Sequence, residues 1–588
     1  MPTYQAPLRD MRYVMYELLD APAVLRTIPA HAGIDIETID AVLEEAAKFA
    51  EQVVQPLNAV GDREGCTYHG DGVVTAPPGF KDAYKRFAGD GWPALSCDPR
   101  WGGQGLPVLL NNRLYEMMNS ASQAWLMYSG LSHSAYECLV AIGTPQQQET
   151  YLPKLVSGEW SGTMCLTEPH CGTDLGLMKS KAEPLDDGSY SITGTKIFIS
   201  SGEHDCTDNI LHLVLARLPD APAGTRGISL FLVPKFVPAA DGAIGERNAI
   251  RAGSIEHKMG IHGNATCVMN LDGARGWLVG EANKGMPAMF VMMNSARLGV
   301  GMQSLGLAEA AHQNAAAYAR ERRQGRSLRG PQEPAQAADT ILVHPDVRRM
   351  LLTSKAYTEG GRALTCWVAL LTDLEHGHPD AAVREDADEL IALLTPVVKA
   401  FITDNAYTTT NLCLEVLGGH GYIAEWGMEQ FVRDARINTI YEGTNGVQAM
   451  DLLGRKVLQD NGARLRRFAA HVRGTADTAA SEFAAPLAAL LADVLRVAGE
   501  IGARGQAAPD EVGAAATPFL RLLGHLAYAW LWARMGTLAL AHPDDAYHRA
   551  KLATARFYFA RLLPETAMLL AQAQCGADTL MAHEVEAI

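Results

Sequence analysis

The sequence lacks the cysteine patterns of disulfide-rich and zinc-binding proteins. It has ten cysteines in 588 residues, but they are scattered, and no two of them form a CxxC pair. Cysteines in this arrangement are typical of reduced thiols in a cytoplasmic protein, and they argue against a zinc site. The N-terminal stretch MPTYQAPLRDMRYVMYELLD has no uninterrupted apolar core and no small-residue cleavage site. We therefore expect no secretory signal and a cytoplasmic location.

Basic residues are also scarce, since 50 Lys and Arg face 66 Asp and Glu, giving a formal net charge of −16. This charge balance gives no general attraction to nucleic acid or to anionic membranes.

Long apolar runs are rare as well. The segment 522–541, LLGHLAYAWLWARMGTLALA, comes closest to a membrane span, but Arg534 inside it would be costly in a bilayer. We predict a buried bundle helix there and no integral membrane span.

What the sequence does contain is typical of a large globular protein. Hydrophobic residues make up 48% and charged residues 20%, and the length favours three or four domains. Apolar spacing and turn residues divide the chain, after an N-terminal extension, into helical, β-rich, helical and again helical segments. The predicted boundaries are 1–35, 36–161, 162–285, 286–460 and 461–588. The predicted fold class is α+β, mainly α, with the last segment as an added helical domain.

Four motifs stand in a fixed order along this pattern. They are MCLTEPHCGTDLG (164–176), SARLGVGMQSLGLAEA (295–310), LEVLGGHGY (414–422) and IYEGTNGVQ (440–448). Together they resemble the acyl-CoA dehydrogenase family, with the tail closest to its longer bacterial members. The resemblance covers about residues 36–460. It implies FAD as cofactor, α,β-desaturation of an acyl-CoA, and an electron-transfer flavoprotein as electron acceptor. The sequence has no GxGxxG fingerprint that would indicate nucleotide binding independently.

The resemblance implies that the first motif runs along the flavin ring. Its implied contacts are Cys165, Leu166, Thr167 and Thr173, the last at a position where a serine is common. Phe198 and Ser200 of the strand KIFIS stand where the family usually has a tryptophan and a threonine over one flavin face. Ordinary turn chemistry in the motif and a core position for Phe198 are the alternatives.

A cationic cluster, RERRQGRS, contains four arginines in an otherwise acidic chain. Guanidinium groups bind diphosphates through paired, charge-assisted hydrogen bonds. The resemblance implies that Arg322 and Gln324 reach the FAD diphosphate of a neighbouring subunit, and that Gly418 and Gly419 approach the same cofactor. We therefore expect a homodimer. The alternative for these arginines is a solvated, charged helix end. In the motif LEVLGGHGY, Glu415 stands where many relatives have glutamine.

The fourth motif places one carboxylate, Glu442, between a tyrosine and a glycine. Desaturation of an acyl-CoA requires a base for the α-proton, and a glutamate with a pKa of about 4.3 in water is too weak. Desolvation by Tyr441 and the acyl chain would strengthen it. Gly443 would permit close approach of the substrate, and Thr444 with Asn445 resembles a flavin-contacting turn. The alternative is a glutamate at a helix start.

Arg297 in SARLG corresponds to a family arginine that contacts the CoA portion of the substrate. Some relatives carry the base immediately before this arginine, but this chain has Ala296 there. The resemblance therefore leaves Glu442 as the candidate base.

An acyl-CoA oxidase and a DNA-binding flavoprotein of the alkylation response remain as alternatives for the function. No motif names the residues that close the acyl pocket, so fatty acyl-CoA and 3-methylthiopropionyl-CoA substrates both stay open.

The apolar stripes of the tail, 461–588, are too wide to remain in water. We expect the tail to cover the chain's own helical surface, which short relatives bury against a second dimer. Docking on a membrane is the alternative, and Arg534 without a basic cluster around it disfavours that choice.

Overall fold

The structure is a computed structural model that describes residues 2–239 and 242–587. These residues form two compact units, and each is described here by itself. Unit 1 consists of the residues up to 47, residues 112–116 and the residues from 300 onward. Unit 2 consists of residues 48–111 and 117–299. The α+β, mainly helical fold class is confirmed, because helices predominate among the described residues and unit 2 contains one seven-stranded sheet.

The helices follow the predicted periodicity, with longer helices after residue 280 than before residue 100. They are α1 Leu8–Arg12, α2 Ala21–Leu25, α3 Ile36–Phe49, α4 Gln55–Glu64, α5 Phe80–Gly89, α6 Val108–Ile142, α7 Pro145–Val156, α8 Gly285–Glu321, α9 Pro345–Gly377, α10 Ala381–Val416, α11 Met428–Asn438, α12 Asn445–Met450, α13 Ala463–Thr478, α14 Ser481–Ala507, α15 Asp510–Leu540, α16 Ala546–Phe557, α17 Glu565–Gln574 and α18 Asp578–Met581. Turns of π-helix occur at Tyr13–Leu18, Ala50–Val54, Asp451–Leu458 and Tyr558–Leu562.

The strands lie in unit 2. They are β1 Thr67–Tyr68, β2 Val74–Thr75, β3 Trp160–Cys165, β4 Lys181–Pro184, β5 Tyr190–Ser200, β6 Asn209–Arg217, β7 Ile228–Pro234, β8 Phe236–Pro238, β9 Ile244–Arg247, β10 Ile250–Ile255 and β11 Thr266–Val279. Five of them close a ring, because β11 pairs β5, β5 pairs β4, β4 pairs β6, β6 pairs β7, and β7 pairs β11. Strands β10 and β3 extend the sheet from β11 and β6, and β3 runs parallel to β6. Ring closure leaves few open strand edges.

Strand β6 is apolar along almost its whole length because both of its faces are covered. Leu211, Leu213 and Leu215 pack with buried residues of α6 and α7, whereas Val214 and Ala216 belong to a second core among the strands. Successive side chains of a strand point to opposite faces of the sheet. A continuous apolar run is therefore the expected pattern for a strand covered on both faces.

Unit 1 is a helical bundle that includes the tail. In α15 the Tyr528 hydroxyl donates to the Tyr357 carbonyl of α9 at 3.2 Å, and Trp532 Nε1 donates to the Ala356 carbonyl at 3.3 Å. Gly360 of α9 permits this approach, because a Cβ added there would lie 2.6 Å from the Tyr528 ring. The prediction that 522–541 is a buried bundle helix is confirmed by the burial of most of α15. The tail covers helices of its own chain, as expected.

One helix of the described residues, α10, is long and apolar enough to cross a membrane. Within the protein, 78% of its apolar window is buried. The sequence pointed to the later segment 522–541 instead. A helical segment was predicted over this part of the chain, but α10 was overlooked as a possible span because polar residues such as Lys399 and Asp404 interrupt its apolar stretch.

The interior of unit 1 contains a network of paired charges. The Arg362 guanidinium of α9 donates to Glu116 at 2.7 Å and to Asp10 and Glu309 at 2.5 Å each. All four side chains are buried. Their carboxylates come from α6, α1 and α8, so one arginine of α9 links three other helices.

Lys551 of α16 extends the network to the tail. Its ammonium is buried, donates to Glu359 at 2.7 Å and contacts Asp10. Asp10 also accepts a hydrogen bond from the Tyr547 hydroxyl. Burial alone would raise the pKa of Asp10, but Lys551 and Arg362 hold it far below its ordinary value. The N-terminal extension and the tail are therefore joined through one ionised carboxylate.

Replacing Arg362 with methionine should destabilise unit 1 strongly, because it leaves Glu116, Asp10 and Glu309 buried without their shared cation. Removing one partner of a buried ion pair costs about 3–5 kcal/mol. We expect the midpoint of thermal unfolding to fall by roughly 5–10 °C. Arg496→Met, in a solvent-exposed ion pair of α14, is the control and should change the midpoint by less than about 2 °C. An equal, small shift for both variants would contradict the importance of the network.

Candidate functional site

The TEP motif of unit 2 begins where β3 ends. Cys165 is fully buried, and the next two residues, Leu166 and Thr167, are half-buried. The Ile197 N–H donates to the Thr167 carbonyl at 2.9 Å, and Lys196 Nζ donates to the Leu166 carbonyl at 3.1 Å. These bonds hold the motif beside the end of β5. The structure thus brings the predicted residues of the motif next to the strand that carries Phe198.

The turn of the motif is held by Glu168, which the sequence analysis did not single out. Its carboxylate accepts from Lys196 Nζ at 2.9 Å, from the Ser180 hydroxyl at 2.5 Å and from the Lys179 N–H at 2.8 Å. Burial alone would raise the pKa of Glu168, but the Lys196 charge and these hydrogen bonds lower it to about 2. A lysine at an inward position of a strand was the available signal, because such a lysine needs a buried acid as partner.

Phe198 lies at a β-bulge. Ile199 pairs with Cys267 and Lys196 with Met269, so two residues of β5 face one residue of β11. Phe198 has a φ of 60°, which is rare for a residue other than glycine, and its side chain is 61% exposed. The bulge turns the ring to the surface, so the core alternative for Phe198 is excluded.

The surface around Phe198 suits a flat aromatic cofactor with a polar edge. It combines an exposed ring with the half-buried residues Leu166, Thr167 and Ser200 and with the exposed Thr173. An aromatic ring offers stacking, and hydroxyl and backbone groups offer hydrogen bonds. The residues present therefore fit the isoalloxazine ring of a flavin, although each individual contact stays a prediction.

Arg297 of α8 is buried in unit 2. Its guanidinium donates to Asn294 Oδ1 at 3.2 Å and lies 5.7 Å from the centre of the Phe290 ring. Ala296 beside it is also buried. The burial shows that Arg297 is not a surface charge, and its contact with the CoA portion stays a prediction.

The candidate base of unit 1, Glu442, lies in the turn between α11 and α12. It has a φ of 56°, and Gly443 after it has a φ of 87°. Thr444 directly precedes the first residue of α12, so Glu442 does not occupy the capping position of that helix. Before the turn, the Tyr441 hydroxyl donates to Gln303 Oε1 at 2.5 Å. A left-handed glutamate is unfavourable by itself and persists only where the surrounding structure holds it.

The other side of the turn is held by Asn445. Its Oδ1 accepts from Lys399 Nζ at 2.8 Å, and its Nδ2 donates to Asp404 Oδ1 at 2.7 Å and to the Thr403 hydroxyl at 2.9 Å. Burial holds the pKa of Asp404 above its ordinary value, against the opposing effect of the Asn445 hydrogen bond. Asn445 thus anchors the Glu442 turn to α10. Its contact with the flavin stays a prediction.

Lys399 and Asp404 were not predicted as part of the site. Both lie in α10, and Lys399 is fully buried there. The available signal was a lysine within the apolar run LLTPVVKAFITD, because a lysine in such a run needs a polar partner. The sequence could not name that partner, which lies 46 positions later.

The structure divides the arginines of RERRQGRS into two groups. Arg323 and Arg326 pair with acids of the following loop, Glu333 at 2.5 Å and Asp339 at 3.2 Å. Arg322 is exposed, and its Nη2 donates to Gln324 Oε1 at 3.3 Å. Of the predicted diphosphate contacts, Arg322 and Gln324 therefore lie together on the surface.

The glycine pair of LGGHGY is also exposed. Gly418 has a φ of 58°, which explains the need for glycine at that position. A Cβ added at Gly418 or at Gly419 would meet nothing within 4 Å. Backbone of this segment is therefore accessible to a ligand.

Comparison with protein-family models assigns nearly the whole chain. Residues 37–159 match "Acyl-CoA dehydrogenase, N-terminal domain", 163–274 the middle domain, and 283–458 the C-terminal domain. Residues 464–584 match "Acetyl-CoA dehydrogenase C-terminal like".

Full-length relatives give the same result. The chain is 43% identical to the 3-methylmercaptopropionyl-CoA dehydrogenase of Ruegeria pomeroyi, with 96% of both chains covered. It is 34% identical to a broad-specificity linear acyl-CoA dehydrogenase of Mycobacterium tuberculosis, again with 96% of both covered. The crystal structure of a Bacillus anthracis acyl-CoA dehydrogenase complexed with FAD has the same fold, with a TM-score of 0.73, 20% identity, and coverage of 93% of this chain and 90% of that one. The chain therefore belongs to the acyl-CoA dehydrogenase family.

Proposed function

We propose that this protein is an FAD-dependent acyl-CoA dehydrogenase that uses Glu442 as its base. The observation that carries the assignment is the conformation of Glu442. A glutamate at a φ of 56° is held between the hydrogen bonds of Tyr441 and Asn445. Unfavourable backbone conformations that the surroundings hold in place cluster at active sites.

The reaction converts an acyl-CoA thioester into a trans-2-enoyl-CoA. Bound FAD supplies the acceptor for the hydride that leaves Cβ. The carboxylate of Glu442 takes the proton from Cα, so the C–H electron pair is left to form the double bond. Arg297 holds the CoA portion, and Gly443 lets the thioester approach the base. Phe198, with Cys165, Leu166, Thr167, Thr173 and Ser200, binds the flavin ring, and Thr444 contacts it from the Glu442 turn.

We propose an electron-transfer flavoprotein as the electron acceptor, and membership of the acyl-CoA dehydrogenase family supports this choice. The oxidase alternative uses the same base and passes electrons to oxygen, so peroxide formation compared with dye reduction distinguishes the two. We further propose a cytoplasmic homodimer in which Arg322 and Gln324 reach the diphosphate of the partner's FAD. Their exposure and their mutual hydrogen bond support this role.

The acyl chain is best identified by a panel of thioesters. The relative from Ruegeria pomeroyi is named for 3-methylmercaptopropionyl-CoA, and the relative from Mycobacterium tuberculosis for linear acyl-CoA. The panel should therefore contain the sulfur-containing thioester beside linear acyl-CoAs of graded length, assayed with an artificial electron acceptor.

Glu442→Gln should retain bound FAD and lose flavin reduction by acyl-CoA, because the amide cannot take the α-proton. A positioned general base contributes about 10²–10⁴-fold in rate. Stopped-flow absorbance of the flavin measures the loss, and Glu37→Gln, an exposed glutamate of α3, is the control. Reduction of Glu442→Gln at a near wild-type rate would refute the assignment.

Arg322→Ala should lower FAD occupancy while leaving the thermal unfolding of the apoprotein unchanged, because the side chain is exposed. Arg329→Ala removes another exposed arginine of the same loop and should retain the cofactor. The ratio of flavin absorbance to protein, with light scattering for the oligomeric state, gives the result. A monomer with full FAD occupancy would contradict the proposal.

Asn445→Ala should lower kcat by more than about tenfold, with KM changed by less than about threefold, because the Glu442 turn loses its anchor on α10. The control is Asn411→Ala, which removes an exposed asparagine of α10 and should leave both kcat and KM unchanged. Equal losses in kcat for the two variants would show that the anchor does not position the base.

A further inference from the structure

Arg534 is a cation of α15 that has no acidic partner in the described part of the chain. Its Nη2 donates to the Leu18 carbonyl at 2.6 Å, and the guanidinium lies 5.2 Å from the centre of the Trp530 ring. Burial lowers the pKa of Arg534. One carbonyl and one aromatic face use only part of the hydrogen-bonding capacity of a group with five N–H donors.

Arg534 lines a cavity of about 290 Å³ in unit 1, formed by α13, α15 and the π-helical turn near Leu18. Thr475 and Thr537 line the same cavity. The Thr475 hydroxyl oxygen accepts from Trp530 Nε1 at 2.7 Å, and that of Thr537 accepts from the Ala480 N–H at 3.0 Å. Each oxygen is thus occupied as an acceptor, and its own hydrogen has no acceptor among residues 2–239 and 242–587. One guanidinium and two hydroxyl groups can therefore donate to a ligand.

The charge around the cavity selects the ligand. Glu17 also lines it, but its carboxylate is bonded to Arg9 at 2.6 Å and to His548 at 2.9 Å. Arg534 supplies one positive charge with no acidic partner among residues 2–239 and 242–587, and this charge matches a ligand that carries one negative charge. A second negative charge on the ligand would find no cation and would be repelled by the Glu17 carboxylate. The remaining lining includes the apolar side chains of Leu18, Ala479 and Leu538.

We propose that this cavity is a second ligand site that binds the monoanion of a short-chain carboxylic acid. The carboxylate accepts from the Arg534 guanidinium and the two threonine hydroxyls, and the alkyl chain lies against the leucines. The cavity holds the equivalent of roughly ten waters, enough for a small acid. Because α13, α15 and the N-terminal turn all contribute to it, bound acid should stabilise the attachment of the tail.

The test is calorimetric titration of the full-length, FAD-loaded protein with sodium butyrate at constant ionic strength, with inorganic phosphate as the second probe. We expect saturable butyrate binding and a rise of about 1–3 °C in the unfolding midpoint at ten times the dissociation constant. Arg534→Met should weaken butyrate binding at least tenfold. Arg556→Met, an exposed tail arginine paired with Glu482, is the matched control and should bind as the wild type does.

Arg534→Met also removes the donor to the Leu18 carbonyl and could disturb folding, so a second variant is needed. Ala479→Leu keeps that bond and fills the cavity, and it should abolish butyrate binding without lowering dehydrogenase activity. The proposal is overturned if butyrate shows no saturable binding up to about 50 mM, a practical limit for measuring a weak site. It is also overturned if neither variant weakens the binding. Tighter binding of phosphate than of butyrate at Arg534 would overturn the carboxylate assignment.

Discussion

The burial of several charges around Arg362 is the constraint on which the architecture of unit 1 depends. One guanidinium serves carboxylates from three helices, and Lys551 joins the tail to the same group through Asp10. Each charge has a partner of opposite sign, so none of these helices can move away without leaving an unpaired charge in the interior. The N-terminal extension and the tail are therefore integral to the bundle.

The same principle operates on a smaller scale at the candidate site. Buried Lys399 and half-buried Asp404 share Asn445, and buried Lys196 and Ser180 share Glu168. Each arrangement holds a segment next to a residue in a left-handed conformation, Glu442 in one case and Phe198 in the other. In both places hydrogen bonds from buried neighbours hold the segment in a backbone conformation that its own residues do not favour.

The tail shows how an apolar helix can carry an arginine. In a bilayer Arg534 would be costly, whereas in the bundle it donates to the Leu18 carbonyl and lies over Trp530. Packing of Tyr528 and Trp532 against α9 covers the rest of the helix. The partly used guanidinium beside two threonine hydroxyls makes the surrounding cavity selective for an anion.

The sequence by itself determined the fold class, the helix α15 and the turn that carries Glu442, because these follow from the spacing of neighbouring residues and from turn chemistry. It also identified the family through four local motifs. Only the tertiary structure decided which arginines of RERRQGRS pair with acids and that Phe198 turns outward at a bulge. It alone revealed Lys399, Asp404 and Glu168 as supports. Such pairings depend on contacts between distant positions, 537 apart for Tyr547 and Asp10, and a local pattern carries no information about which distant residues will meet.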